Sequence, residues 1–175
     1  MKIGQTMPGF SLIGVDDQIL HSKDFLKGKG LVVIFSCNHC PYVQAYEDRM
    51  IDLYNDFSPR GIEILVINSN EDITYPDDSF ENMKRRAQAK GFPFPYLRDE
   101  SQDVAKAFGA THTPEIFLMN SDGQLVYTGR IDDNWKEADR VKSQDLKAAM
   151  EALISDEPIR EPETYAIGCT IKWKT

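Results

Sequence analysis

The residues Phe35-Ser36-Cys37-Asn38-His39-Cys40-Pro41-Tyr42-Val43 decide how the chain is read. The apolar run Leu31-Val32-Val33-Ile34-Phe35 leads into them, and Tyr42, Tyr46, Met50, Leu53, Tyr54 and Phe57 follow at helical spacing. A β-branched run, a polar turn and an amphipathic stretch read as strand, loop and helix. Proline is tolerated only in the first turn of a helix, so Pro41 predicts a helix start near Cys37. Two cysteines three apart on such a turn face the same way, with Cα atoms roughly 5–6 Å apart, a disulfide-compatible separation. Unsatisfied N–H groups at a helix N-terminus favour an anion, and Cys-x-x-Cys thiols there fall from ~8.5 to roughly 3.5–7.5. His39 adds a hydrogen-bond donor, and a positive charge when protonated. On this reading Cys37 is the exposed attacking thiolate at the cap. Cys40, one turn inside, closes the disulfide.

Working outward, 175 residues predict one domain, with a core over about 8–155 and an extended tail over 156–175. The formal charge of −8 argues against nucleic acid or an anionic membrane as a partner recognised through bulk charge. Met1 to Thr6 hold no apolar signal-like stretch and no later run is long enough to span a bilayer, so the expected compartment is the cytoplasm. Three cysteines cannot all pair internally, which in a reducing compartment points to a redox or metal role for the spaced pair.

Upstream, Gly14-Val15-Asp16-Asp17 predicts the turn of an N-terminal β-hairpin between Met7–Leu12 and Gln18–His21. Downstream, Ile62 to Asn68 reads as a buried strand parallel to the first, because a helix connects them. Ser79 is placed to cap a helix that Gly91 ends, Ser101 to Phe108 forms another, and Asp122-Gly123 marks a hairpin before a last helix over Ser143–Ile154. The order predicts an α/β fold, a mixed central sheet flanked by helices.

Strand, Cys-x-x-Cys at a helix start, a second parallel strand, then Thr113-Pro114 before a hairpin resembles the thioredoxin (glutaredoxin-type) fold. More closely, the chain is similar to the peroxiredoxin-like branch of the alkyl hydroperoxide reductase/thiol-specific antioxidant group that carries a Cys-x-x-Cys pair. That resemblance rests on residues 37–43, Ile67-Asn68-Ser69-Asn70, Tyr75-Pro76-Asp77-Asp78-Ser79, Thr113-Pro114, Gly129 to Trp135 and Gly168 to Trp173. It implies a cis bond at Pro114, with Thr113 and Pro114 holding a substrate backbone and His112 lining the same wall. It also implies a thiol–disulfide oxidoreductase without a cofactor or metal. The partners are a disulfide-containing protein or a small thiol or peroxide, together with an external thiol reductant. Two departures matter. Leu31 stands where thioredoxin keeps a buried acid, which leaves His39 or water as the base. If Cys40 takes the peroxidatic place, Cys37 stands where a peroxiredoxin has threonine, and the upstream proline is absent.

Other readings stay open. The spacing favours redox chemistry, and the alternatives are a thiol peroxidase with antioxidant activity, or a redox-inert or metal-binding module with His21, His39 or His112. Arg130 steadies a thiolate or peroxide, or else forms a structural ion pair. Cys169 resolves a sulfenate or mixed disulfide, or else packs as a small hydrophobe. Histidine in the second variable position resembles the oxidising members of the fold, protein disulfide isomerase and the periplasmic oxidase. Equilibration in glutathione buffers is therefore expected to give a potential above thioredoxin's, and about −270 mV or lower would defeat that expectation.

Overall fold

The computed structural model describes residues 1–175. The strands are β1 (Ser11–Gly14), β2 (Ile19–His21), β3 (Gly30–Ser36), β4 (Ile62–Asn68), β5 (Tyr96–Arg98), β6 (His112–Thr113), β7 (Glu115–Asn120), β8 (Leu125–Gly129) and β9 (Cys169–Thr170). The helices are α1 (Pro41–Phe57), α2 (Phe80–Lys90), α3 (Asp103–Phe108) and α4 (Asp145–Ile154). Seven strands form one sheet in the order β2-β1-β5-β4-β3-β7-β8, and β6 pairs with β9 in a separate ladder.

β3 organises the sheet. It is buried along its whole length, parallel to β4 on one side and antiparallel to β7 on the other. Its side chains alternate between two cores, as strand geometry requires. Val32 and Ile34 pack with Tyr46, Met50 and Phe57 of α1 and with Leu146 and Met150 of α4. Leu31, Val33 and Phe35 pack with Phe108, Phe117 and Ile171 on the opposite face. The predicted punctuation is present. Ser79 Oγ accepts from the Asn82 N–H, and Gly91 ends α2 in the left-handed region at φ 63°.

One expectation about the first helix is corrected. α1 starts at Pro41, and Cys40, not Cys37, is its N-cap, extended at φ −154° and ψ 127°. The cause is steric: a proline ring drives the residue before it out of helical geometry, so the helix cannot reach back to Cys37. Cys37 instead continues directly from the end of β3. The short β6 and β9 carry no signal in the sequence, since two residues show no periodicity.

Asp132 fastens α1 to the segment after β8. Its carboxylate accepts from Tyr46 Oη at 2.8 Å and from Arg49 Nη1 at 2.8 Å, and it is buried. Arg130 pairs its Nε with Asp145 Oδ2 at 2.8 Å, fixing the start of α4. Replacing Asp132 by alanine leaves the Tyr46 hydroxyl only the residue-132 carbonyl at 3.2 Å, and leaves the Arg49 guanidinium only the Asn134 and Trp135 carbonyls, with no carboxylate to offset its charge. Urea denaturation is expected to show a loss of about 3 kcal/mol.

Candidate active site

Three segments converge where β3 meets α1. The first carries Cys37 and Cys40. The second is β6, whose Thr113–Pro114 peptide is cis. Thr113 Oγ1 lies 3.6 Å from Cys37 Sγ, and its carbonyl oxygen lies 3.9 Å from Cys40 Sγ. The third is β9, which places Cys169 Sγ 2.6 Å from Cys40 Sγ. Cys37 and Cys40 are each 2% exposed, while Cys169 is half-buried.

These contacts divide the three thiols electrostatically. Hydrogen-bond donation from Cys37 pulls the Cys40 thiol down to about 5; Cys169 and the backbone N–H groups of Val43 and Tyr42 add to this, against the opposing effect of burial. Sulfur held at the open end of a helix is stabilised as the anion. The Cys37 thiol is pushed well above its ordinary range by that same bond to Cys40, by burial and by the negative charge of Asp78. Cys169 is raised to about 11 by burial and by its bond to Cys40. The surroundings of the three sulfurs therefore favour the anion at Cys40 over Cys37 and Cys169.

This corrects the assignment of Cys37 as an exposed thiolate. The end of the strand buries it, and the helix terminus acts on the residue three positions on. His39 is corrected too: it is exposed, on the rim of a surface depression shared with Asp77, Asn82 and Arg86, and does not sit between the sulfurs. The buried place beside the thiols belongs to Asn38. His112 meets the site through its backbone, which pairs with Thr170, while its Nδ1 lies 2.8 Å from Thr111 Oγ1. His21 is engaged with Ser11 Oγ at 2.6 Å, and no three His, Cys, Asp or Glu side chains are arranged to hold a metal. Arg130 is held by Asp145, as the ion-pair reading has it.

Sequence reasoning missed the polar floor of the site. Asp78, buried, accepts from the Asn38 N–H at 2.6 Å, from Asn68 Nδ2 at 3.2 Å and from Asn70 Nδ2 at 3.0 Å. Tyr96 Oη donates to Asn38 Oδ1 at 2.7 Å. A carboxylate absent at Leu31 is thus supplied from another element, with its charge bearing on Cys37. The signal lay in the segments 67–70 and 75–79, whose amides and carboxylates are polar residues beside a buried strand.

The sequence model of the AhpC/TSA family matches residues 3–128. The chain is 27% identical over 126 residues to the thiol-disulfide oxidoreductase ResA of Bacillus thuringiensis subsp. konkukian, a match covering 72% of this chain and 68% of that protein. A solved structure from Geobacillus kaustophilus, described as an uncharacterized conserved protein, superimposes with a TM-score of 0.94 at 39% identity, over 99% of this chain and 93% of that one. The thioredoxin domain of a thiol-disulfide oxidoreductase from Bacteroides vulgatus superimposes with a TM-score of 0.63 at 21% identity, over 73% of this chain and 88% of that one, a likeness of fold. The fold is thioredoxin-like, and the chain belongs to the AhpC/TSA family.

Proposed function

We propose that Cys40 is the exchanging sulfur of this thiol–disulfide oxidoreductase and that Cys37 resolves it. The observation that carries the reading is the place of Cys40 at the N-cap of α1 with Cys169 Sγ 2.6 Å away, surroundings that draw its thiol down. The Cys40 thiolate attacks a substrate disulfide, forming a mixed disulfide and expelling one substrate sulfur as thiolate. Cys37 then attacks the Cys40 sulfur. The Cys37–Cys40 disulfide forms, the second substrate sulfur leaves, and the proton from Cys37 goes to it. An external thiol reductant reverses the oxidation of the pair. The substrate is a disulfide in a protein or small molecule, and we place the reaction in the cytoplasm, where three thiols are kept reduced. Exchange depends on thiolate fraction, nucleophilicity and leaving-group pKa together.

A thiol peroxidase is the second reading, favoured by the position of Cys40 at the helix terminus. Peroxide would convert its thiolate to a sulfenate, and Cys37 would close the disulfide with release of water. Against it, Cys37 occupies the place of the peroxide-orienting threonine, and Arg130 is committed to Asp145. Stopped-flow mixing of the reduced protein with hydrogen peroxide is expected to give a rate no better than free cysteine. A much faster rate would favour the peroxidase.

Three further outcomes test the main reading. Thiolate absorbance of the reduced protein is expected to titrate with a midpoint near pH 5, to vanish in Cys40→Ser and to shift upward in Cys37→Ser, which loses its largest stabilising donor. The exchange rate should accordingly stay level from pH 8 to 6 and fall only below about pH 5; a rate that fell about tenfold per unit from ~8.5 downward would mark an ordinary thiol. With a disulfide substrate, the double variant Cys37→Ser/Cys169→Ser, which removes both thiols next to Cys40, is expected to accumulate a mixed disulfide on Cys40, identified by mass spectrometry. An adduct on Cys37 in Cys40→Ser at the wild-type rate would reverse the assignment.

A further inference from the structure

The C-terminal tail lies in the active site as a bound substrate would. β9 runs antiparallel to β6 with Cys169 opposite Thr113 and Thr170 opposite His112, and the Ile171 N–H donates to the Thr111 carbonyl at 2.9 Å. Pairing along a free backbone edge is the general way an extended peptide docks on a strand. Here the chain fills that edge itself. Gly168 packs so closely on the Thr113–Pro114 peptide that a Cβ there would stand 2.0 Å from the Thr113 carbonyl oxygen.

The tail is fastened on both sides of Cys169. Before it, the Thr164 N–H donates to the Thr128 carbonyl at 3.0 Å, and Thr164 Oγ1 accepts from the Arg130 N–H at 2.9 Å. After it, Ile171 enters the core beside Phe108 and Phe35. The Lys172 N–H donates to Asn70 Oδ1 at 2.9 Å, and the Lys172 carbonyl accepts from the Glu71 N–H at 2.9 Å and from Gln102 Nε2 at 2.9 Å. Between the anchors Tyr165 is 91% exposed, and the short span beyond it delivers Cys169 to Cys40 at 2.6 Å.

We propose that residues 168–172 are a tethered exchange substrate and Cys169 a third redox sulfur, so that Cys40 alternates between a disulfide with Cys37 and one with Cys169. The proposal rests on Cys40 being the exchanging sulfur. In the step, the Cys169 thiolate attacks the Cys40 sulfur of the Cys37–Cys40 disulfide. The Cys40–Cys169 bond forms, the Cys37–Cys40 bond breaks, and Cys37 leaves as a thiolate that takes up the proton Cys169 released. One disulfide and one thiol stand on each side, so no outside oxidant enters. Anchoring both flanks keeps the reacting sulfurs together and makes the step intramolecular. Cys169 is also the only one of the three not fully buried, which makes it the sulfur that solvent-borne thiols meet first.

The test uses the reduced full-length chain and glutathione disulfide, with quenching by alkylation and non-reducing peptide mapping. In Cys37→Ser, the glutathione adduct on Cys40 is expected to convert to a Cys40–Cys169 disulfide with release of glutathione. In Cys169→Ser the adduct should convert to Cys37–Cys40, and the wild type should yield both. An adduct that persists on Cys40 in Cys37→Ser overturns the third sulfur while leaving Cys40 as the exchanging residue. No adduct or disulfide at Cys40 in any variant overturns both. Gly168→Ala in the Cys37→Ser background is expected to slow Cys40–Cys169 closure about tenfold or more, because the strand no longer seats. The same substitution with Cys37 present should still give Cys37–Cys40, which shows the fold intact. An unchanged closure rate in Gly168→Ala overturns the seated strand as the cause.

Discussion

The ring of Pro41 is incompatible with helical backbone at the residue before it, and this contact sets the geometry of the site. Cys40 is held extended at the mouth of α1, where the first N–H groups of the helix have no partner of their own. A sulfur there completes the helix by accepting charge density that water would otherwise supply. Had the helix begun three residues earlier, Cys37 would have taken that position, and Cys40 would have lain inside the first turn. The proline therefore chooses which of two chemically identical side chains is acidic.

A thiolate in a buried place needs donors, and each donor has to be held from elsewhere in the chain. Cys37 comes from the end of the central strand, and Cys169 arrives on a ladder with β6. The Asp78 carboxylate is compensated by backbone and amide donors from Asn38, Asn68 and Asn70. Its charge adds to the effects of Cys40 and of burial, which together push the Cys37 thiol up. Desolvated polar groups are tolerated only when such partners are complete. The one incompletely satisfied group, Arg98 Nη2, is 3.7 Å from Asp72 Oδ2, while Arg98 Nη1 secures the Asn70 carbonyl at 2.8 Å.

The sheet was legible because local signals agreed with one another. The apolar run at 31–35, Ser79 with Gly91, and Asp122-Gly123 each announced an element that the fold contains. The site was legible as a set of residues but not as an arrangement. Pro41 permits a helix to begin near Cys37, but its stronger effect is to keep Cys40 out of helical backbone. Burial of Cys37, the outward turn of His39 and the closing of β9 over β6 depend on contacts between segments far apart in sequence, as with Thr113 and Cys169. No window along the chain displays such contacts. The amides at 68 and 70 told of a family but not of their shared acceptor.

The ladder between His112 and Thr170 also has a temporal meaning. Chains emerge from the ribosome N-terminal end first and fold as they emerge, and contacts between distant segments close last. β3 through β8 can assemble while the final segment is still being made. The sulfur of Cys40 then spends an interval beside Cys37 alone, with the backbone edge at Thr113 open to any passing strand. Until that ladder closes, the edge that Cys169 and Thr170 cover in the folded chain is bare.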